Sequence, residues 1–389
     1  MNRIGLKTTL LLASSLTVMA GALIAPALPK IAEAFEGLPN VVFLSKLLLS
    51  IPALFIAVFS PFAGGIIDRL GKIKPMLITM VLYGIAGSAG LYLNDLYQII
   101  ASRALLGLGV AVIMTTATTL IGDYFEGEER MRFLGIQGAF MAFGGTIFVS
   151  LSGILADFSW RYPFAVYLTS FLVIVLTLFF LYEPSKETSE TDRNRQSASA
   201  NWNLYFTIYL ATFFGMALFY LIPTQLPFLM KEIGVTSASM GSIGLVVATF
   251  SAAVTSANYR MLARRLNFRQ IYITLFGFAA LGLFLVQWVD SIGMTVVTMA
   301  IAGIGFGLLM PNASLCLIAN SPSSIRGKVI GGLTSAVFLG QFFSPILMEP
   351  IVQGYGIKSA YLIGGIGSAL LALFFLIRHQ QRKNALYSS

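Results

Sequence analysis

Apolar residues in this chain run in long continuous blocks, divided by short polar segments. The blocks are about 20 residues or longer, the length a helix needs to cross a hydrocarbon core of about 30 Å. In that core every backbone group must be bonded within its own segment, so continuous blocks predict helices, whereas a membrane β-barrel is built of short alternating strands. Twelve spans are predicted, at roughly 8–28, 41–64, 75–94, 97–120, 132–156, 162–182, 203–225, 238–259, 270–289, 292–317, 328–348 and 357–377. The first follows Arg3 and Lys7 and imitates a secretory leader. Its apolar part of about 20 residues exceeds a leader's usual 7–15, and with the later spans behind it the segment reads as a retained helix. The expected class is an all-α membrane protein.

Composition agrees. The chain is 57% hydrophobic and 11% charged, against about 25% charged in soluble domains, so most of it cannot face water. With the N-terminus placed in the cytoplasm, nearly all Lys and Arg fall in cytoplasmic segments, and only Lys30, Arg161, Lys231 and Lys358 lie outside. That asymmetry sets the orientation and predicts both termini inside. Topology therefore accounts for the net charge of +9. The basic residues are scattered over separate segments, which argues against a nucleic-acid partner; the expected partners are the lipid bilayer and a small-molecule substrate. A single cysteine, Cys316, makes no intramolecular disulfide, and with one histidine, His379, no His/Cys metal cluster can form.

The longest polar stretch, 183–202, divides the spans six and six: an amino-terminal bundle 1–182, a cytoplasmic linker, and a carboxy-terminal bundle 203–389 with a short tail. Its Ser, Glu, Asp and Arg content suits a flexible linker. The halves align at a constant shift of 196 residues: Arg69-Leu70 on Arg265-Leu266, Gly107 and Gly109 on Gly303 and Gly305, Arg130 on Arg326, Gly135 on Gly331, Gly144 on Gly340. Two parallel six-helix repeats about an axis along the membrane normal are a transporter plan in which substrate sits at the repeat interface near the midplane. Pro26 and Pro29 in the first span correspond to Pro223 and Pro227 in the seventh, where breaks would let helices bend.

One polar segment is unusual: Gly64-Gly-Ile-Ile-Asp68-Arg69-Leu-Gly71-Lys72-Ile-Lys74, between spans two and three. Asp68 and Arg69 end span two. Gly71 tolerates positive φ and permits a tight reversal. Gly64, about one turn before Asp68, allows close approach of another helix. Arg69 and Lys72 are placed to pair with Asp123 at the end of span four. The second half carries a degenerate copy, with Arg260, Arg264 and Asn267 where the first has Gly64, Asp68 and Gly71. It keeps positive charge and loses the carboxylate.

This segment resembles motif A of the major facilitator superfamily. Arg103-x-x-Leu-Gly107-x-Gly109 in span four resembles motif B of its proton-coupled members, and Trp160-Arg161-Tyr-Pro-Phe is similar to a run in its twelve-helix drug:proton antiporters. The resemblance implies the major facilitator fold, alternating access and no cofactor, with a proton gradient as energy source and a functional monomer. It also implies that Asp68 faces the N-terminus of span eleven, near Arg326-Gly327-Lys328, when the cytoplasmic side closes, and that Arg103 takes part in proton coupling. The antiporter motif C would fall on 148–153, where only Gly153 matches, although Gly138, Gly144 and Gly145 keep span five rich in glycine.

Two ionisable side chains are expected to be embedded, Lys46 in span two and Arg103 in span four, each roughly 9 Å from the outer end. Embedded charges are costly and mark function by default, although Lys46 could snorkel to the interface. No Asp or Glu is expected deep in a span, Glu349 lying near the outer end of span eleven. Gln341 and Asn312 are the uncharged cavity candidates, with Asn312 also placed to bond backbone freed by Pro311; Thr115, Thr116, Thr118 and Thr119 are expected to bond their own helix. The function expected is a secondary transporter, chiefly proton-coupled efflux of a small organic compound. The alternatives are a symporter or uniporter for an organic anion or neutral metabolite and, more remotely, a membrane sensor. No catalytic constellation can be assembled, so an enzyme is not expected.

Overall fold

The computed structural model describes residues 3–184, 201–322 and 325–387, with side chains to 381. Most of the predicted linker, 185–200, lies outside the described residues. Twelve helices among the described residues are long and apolar enough to cross a membrane: α1 Arg3–Ala34, α2 Val41–Leu70, α3 Ile73–Leu91, α4 Leu96–Tyr124, α5 Gly127–Phe158, α6 Tyr162–Phe180, α7 Trp202–Glu232, α8 Ala238–Ala257, α9 Phe268–Trp288, α10 Ile292–Asn320, α11 Arg326–Tyr355 and α12 Ile357–Gln381.

The first span runs beyond the predicted 8–28 at both ends; at its carboxyl end a short 3-10 turn at Ala25–Ala27 lets the chain continue into a second helix at Leu28–Ala34. Pro26 falls inside that turn, where its missing N–H costs least. The seventh span breaks similarly. Helix Trp202–Phe219 ends at Tyr220, and Leu221–Glu232 resumes with Pro223 near its start and Pro227 inside.

The chain forms two compact units, Met1–Arg193 with Ser237–Ser239, and Asn194–Thr236 with Met240–Ser389. In the first unit α2 packs on α4, α3 on α4 and α6, and α1 on α5; in the second, α8 packs on α10, α9 on α10 and α12, and α7 on α11. These pairings correspond one to one under the repeat.

Glycine makes the shared seams possible. A Cβ on Gly107 of α4 would stand 2.5 Å from the Pro52 carbonyl oxygen of α2, and one on Gly303 of α10 would stand 2.3 Å from the Ala248 carbonyl oxygen of α8. Gly109 lies against the Thr79 carbonyl of α3 and Gly305 against the Leu275 carbonyl of α9. Small residues at helix contacts let backbones approach closely. Gly64 differs: a Cβ there would meet no atom within 4 Å.

Candidate functional site

The loop from α2 to α3 is built around Gly71. Its φ of 81° and ψ of 177° lie in a region that side chains disfavour, and a carboxylate crowds it: a Cβ here would come within 3.1 Å of Glu183. Glu183, just past the end of α6, accepts from the backbone N–H of Lys72 at 2.7 Å and of Ile73 at 3.0 Å. These N–H groups begin α3 and have no intrahelical partner. A carboxylate there also meets the positive end of the helix. The α2–α3 turn is thus tied to the end of α6, 111 residues away.

Lys72 adds a second tie. Its Nζ stands 2.5 Å from Asp123 Oδ2 at the end of α4. Arg69 does not join this pair. It is exposed, like Asp68, and within this unit no described residue pairs with either side chain. The Tyr124 hydroxyl donates to the Tyr182 carbonyl at 2.5 Å, so the ends of α4 and α6 meet beside the loop. Sequence spacing identified Lys72, Asp123 and Gly71, but not Glu183. One signal was available: an acid immediately before Pro184, where a helix must end.

Deeper in the same unit, Arg103 is fully buried. Its Nε donates to the Leu48 carbonyl at 3.3 Å, and its Nη2 to the Ala20 carbonyl at 3.2 Å and the Tyr167 hydroxyl at 2.7 Å. Its guanidinium carbon lies 4.7 Å from the Tyr167 ring centroid. Tyr167 in turn donates to the Met19 carbonyl, and the neighbouring Tyr83 to the Leu16 carbonyl. Arg103 therefore joins α4 to α1, α2 and α6 by neutral acceptors, while its Nη1 is buried without a partner. Lys46 is fully buried too, so its ammonium does not snorkel to solvent.

In the second unit Asn312 is engaged. Its Oδ1 accepts from the Tyr259 hydroxyl at 2.9 Å, and its Nδ2 donates to the Phe268 carbonyl at 3.1 Å. Burial pushes the Tyr259 hydroxyl up to about 12, which keeps it a neutral donor. Asn312 thus ties α10 to the start of α9 rather than mending backbone freed by Pro311. Gln341 is half-buried on α11. Glu349 lies near the carboxyl end of α11, as expected, and its side chain is buried at 6% exposure, accepting from Gln353 at 3.3 Å. Thr115, Thr118 and Thr119 bond carbonyls of their own helix, whereas the buried Thr116 hydroxyl does not.

The sequence profile of the Major Facilitator Superfamily matches residues 10–224 and 208–387. This chain belongs to that superfamily. A multidrug resistance protein, MdtG of Rahnella sp. (strain Y9602), is 26% identical over 378 residues, covering 92% of this chain and 89% of the relative. The class D tetracycline resistance protein of Salmonella ordonez is 26% identical over 385 residues, covering 93% and 94%. Among solved structures, a D-xylose-proton symporter superposes with a TM-score of 0.78 at 17% identity, over 96% of this chain and 97% of the other; at that identity the likeness shows the fold. The chain is a multi-pass membrane protein and a secondary transporter of the major facilitator type. In that setting the α2–α3 loop is motif A, and the Arg103 cluster lies on motif B.

Proposed function

We propose that this transporter exports a small organic compound in exchange for protons, across the cell membrane and with both termini in the cytoplasm. The observation that carries the proposal is the end-to-end similarity to a multidrug and a tetracycline resistance protein, together with an intact motif A loop tied by Glu183 and Asp123. The energy source is the proton gradient, no cofactor takes part, and the monomer is the working unit.

In this reading Asp68 is the latch. Its exposed carboxylate is free to meet the N-terminus of α11 near Arg326 when the cytoplasmic side closes. A carboxylate at a helix N-terminus gains about 0.3–1 kcal/mol, or up to about 2 when partly buried, enough to bias a two-state gate without locking it. Glu183 and the Lys72–Asp123 pair hold the turn that presents it. Asp68→Asn keeps the shape and removes the charge, so transport should fall while expression stays normal. A wild-type rate from that variant would remove the latch assignment.

The decisive assay uses protein reconstituted in vesicles with an internal pH dye. Tetracycline or ethidium should release protons down an imposed gradient with the sign of antiport. Proton flow in the same direction as the compound would establish symport instead.

Symport or uniport of an organic anion is favoured by one specific feature. Arg103 is wholly buried, is held only by carbonyls and a phenol, and has one unpartnered nitrogen. An uncompensated cation in low dielectric attracts anions strongly. Faster uptake of an aromatic carboxylate than of ethidium in the same vesicles would select this alternative.

A further inference from the structure

The second half of α7 is buried on every side: each residue from Leu221 to Met230 is inaccessible to solvent or nearly so. A helix in such a setting is expected to be apolar all round, yet it carries Thr224 and Gln225. Thr224 meets its need locally, donating to the Tyr220 carbonyl at 2.6 Å. Gln225 does not. It is fully buried, and neither Nε2 nor Oε1 has a hydrogen-bond partner. The other buried side-chain amides among the described residues are each engaged, Gln137 with Ser14 and Asn312 with Tyr259 and Phe268.

An amide buried without partners forfeits the hydration of both its groups. A leucine or methionine would fill the same space without that penalty. Gln225 also lies where the helix is least able to hold it in place. Pro223 and Pro227 flank it, and each proline deprives a carbonyl one turn earlier of its N–H partner. The backbone break at Tyr220 precedes it by one turn. A segment weakened in this way can shift during alternating access and bring Gln225 into contact with substrate. The corresponding part of the first unit, Ala25–Ala34, contains no side-chain amide.

We propose that Gln225 is a substrate-recognition residue, selecting a neutral group that donates and accepts hydrogen bonds at adjacent atoms: a carboxamide, or a hydroxyl beside a carbonyl. An ammonium group would use only Oε1 and a carboxylate only Nε2, leaving the other half of the amide unpaired. This inference rests on the transporter reading and narrows its substrate class.

Two measurements test it. Cys316 is the one native cysteine and is buried, so a Cys316→Ser, Gln225→Cys protein carries a single thiol at the position in question. In membranes this thiol should react with N-ethylmaleimide, because the transport cycle exposes it. A thiol that stays unreacted, while the same protein reacts fully once denatured, overturns the proposal. Gln225→Leu should raise the melting temperature by about 2–4 °C by removing the orphaned amide. It should also lower tetracycline-driven proton release about tenfold, the loss of roughly one hydrogen bond in the bound state. A stabilised Gln225→Leu protein that transports tetracycline at the parental rate would show the amide to be a tolerated defect and likewise overturn it. If the parent itself gives no proton release with tetracycline, the export reading of this compound fails, and the thiol labelling decides Gln225 on its own.

Discussion

The two loops that follow the second helix of each repeat solve the same problem with different chemistry. Each must satisfy the unpaired N–H groups that open the next helix. In the second unit Asn267 does so locally: its side chain accepts from the N–H of Arg269 and Gln270 at 3.1 Å each, and Gln270 returns a bond to the Asn267 N–H. This is a capping box written in consecutive residues. In the first unit the equivalent position is Gly71, which has no side chain, and Glu183 supplies the cap from the end of α6. The second unit also ties its loop to its last helix, but through Arg269 donating to the Arg378 carbonyl at 2.8 Å. A self-sufficient cap satisfies the turn from within the loop. A borrowed cap links the turn to a distant helix end and to the linker beyond it, which suits the copy that retains the Asp68 carboxylate.

The shared feature of the two units should break first. Gly303→Leu drives a side chain into the Ala248 carbonyl. Overpacking typically costs about 1–3 kcal/mol and occasionally more; against a backbone carbonyl, which cannot swing aside, the upper end is expected, so the variant should run as aggregate in detergent size-exclusion chromatography. Gly107→Leu should behave the same way in the other unit.

Next is Gly71→Ala. The backbone region it occupies costs a side chain about 1–3 kcal/mol, and the new methyl would also press on the capping carboxylate. Asn267→Gly should lose little, since its φ is −81° and glycine is a fair N-cap. Parallel melting curves check the contrast, and equal losses at the two sites would mean that the loops are not built differently.

Removing the caps sharpens the comparison. Asn267→Ala should cost about 1 kcal/mol, with no change in how the end of α12 behaves. Glu183→Ala should cost a similar amount and loosen the end of α6 as well, read as faster amide exchange at 181–183 and 72–73 together.

The smallest effect is expected from Asp123→Asn. Its pair with Lys72 is exposed, and such pairs contribute about 0.2–1 kcal/mol. The loss should disappear in 1 M salt, where the Debye length is about 3 Å, whereas the Gly71→Ala loss should not.

Much of this was legible along the chain because it depends on local pattern. The constant shift placed Gly107 on Gly303 and Gly109 on Gly305, the positions at which helix backbones touch. Charge spacing matched Lys72 with Asp123. Other features were not legible because the partner lies far away in sequence. Nothing near Gly71 announces Glu183, and nothing near Asn312 announces Tyr259. Glu349 lies near a helix end and is nonetheless buried, because position along a helix does not say which face a neighbour covers. Gln225 falls at the end of the predicted seventh span, and nothing in the apolar pattern marks it as buried without a partner.

The sequence by itself determined the class, the number of spans, the repeat and the superfamily, since each follows from the length and order of apolar blocks and from short motifs whose residues act where they stand. Only the tertiary structure decided which polar groups are paired. Hydrogen bonds at 2.7–3.3 Å require side chains from different helices to arrive at one point, and helix packing alone fixes that arrival. It placed Glu183 on the motif A turn, enclosed Arg103 among carbonyls, and left Gln225 without a partner.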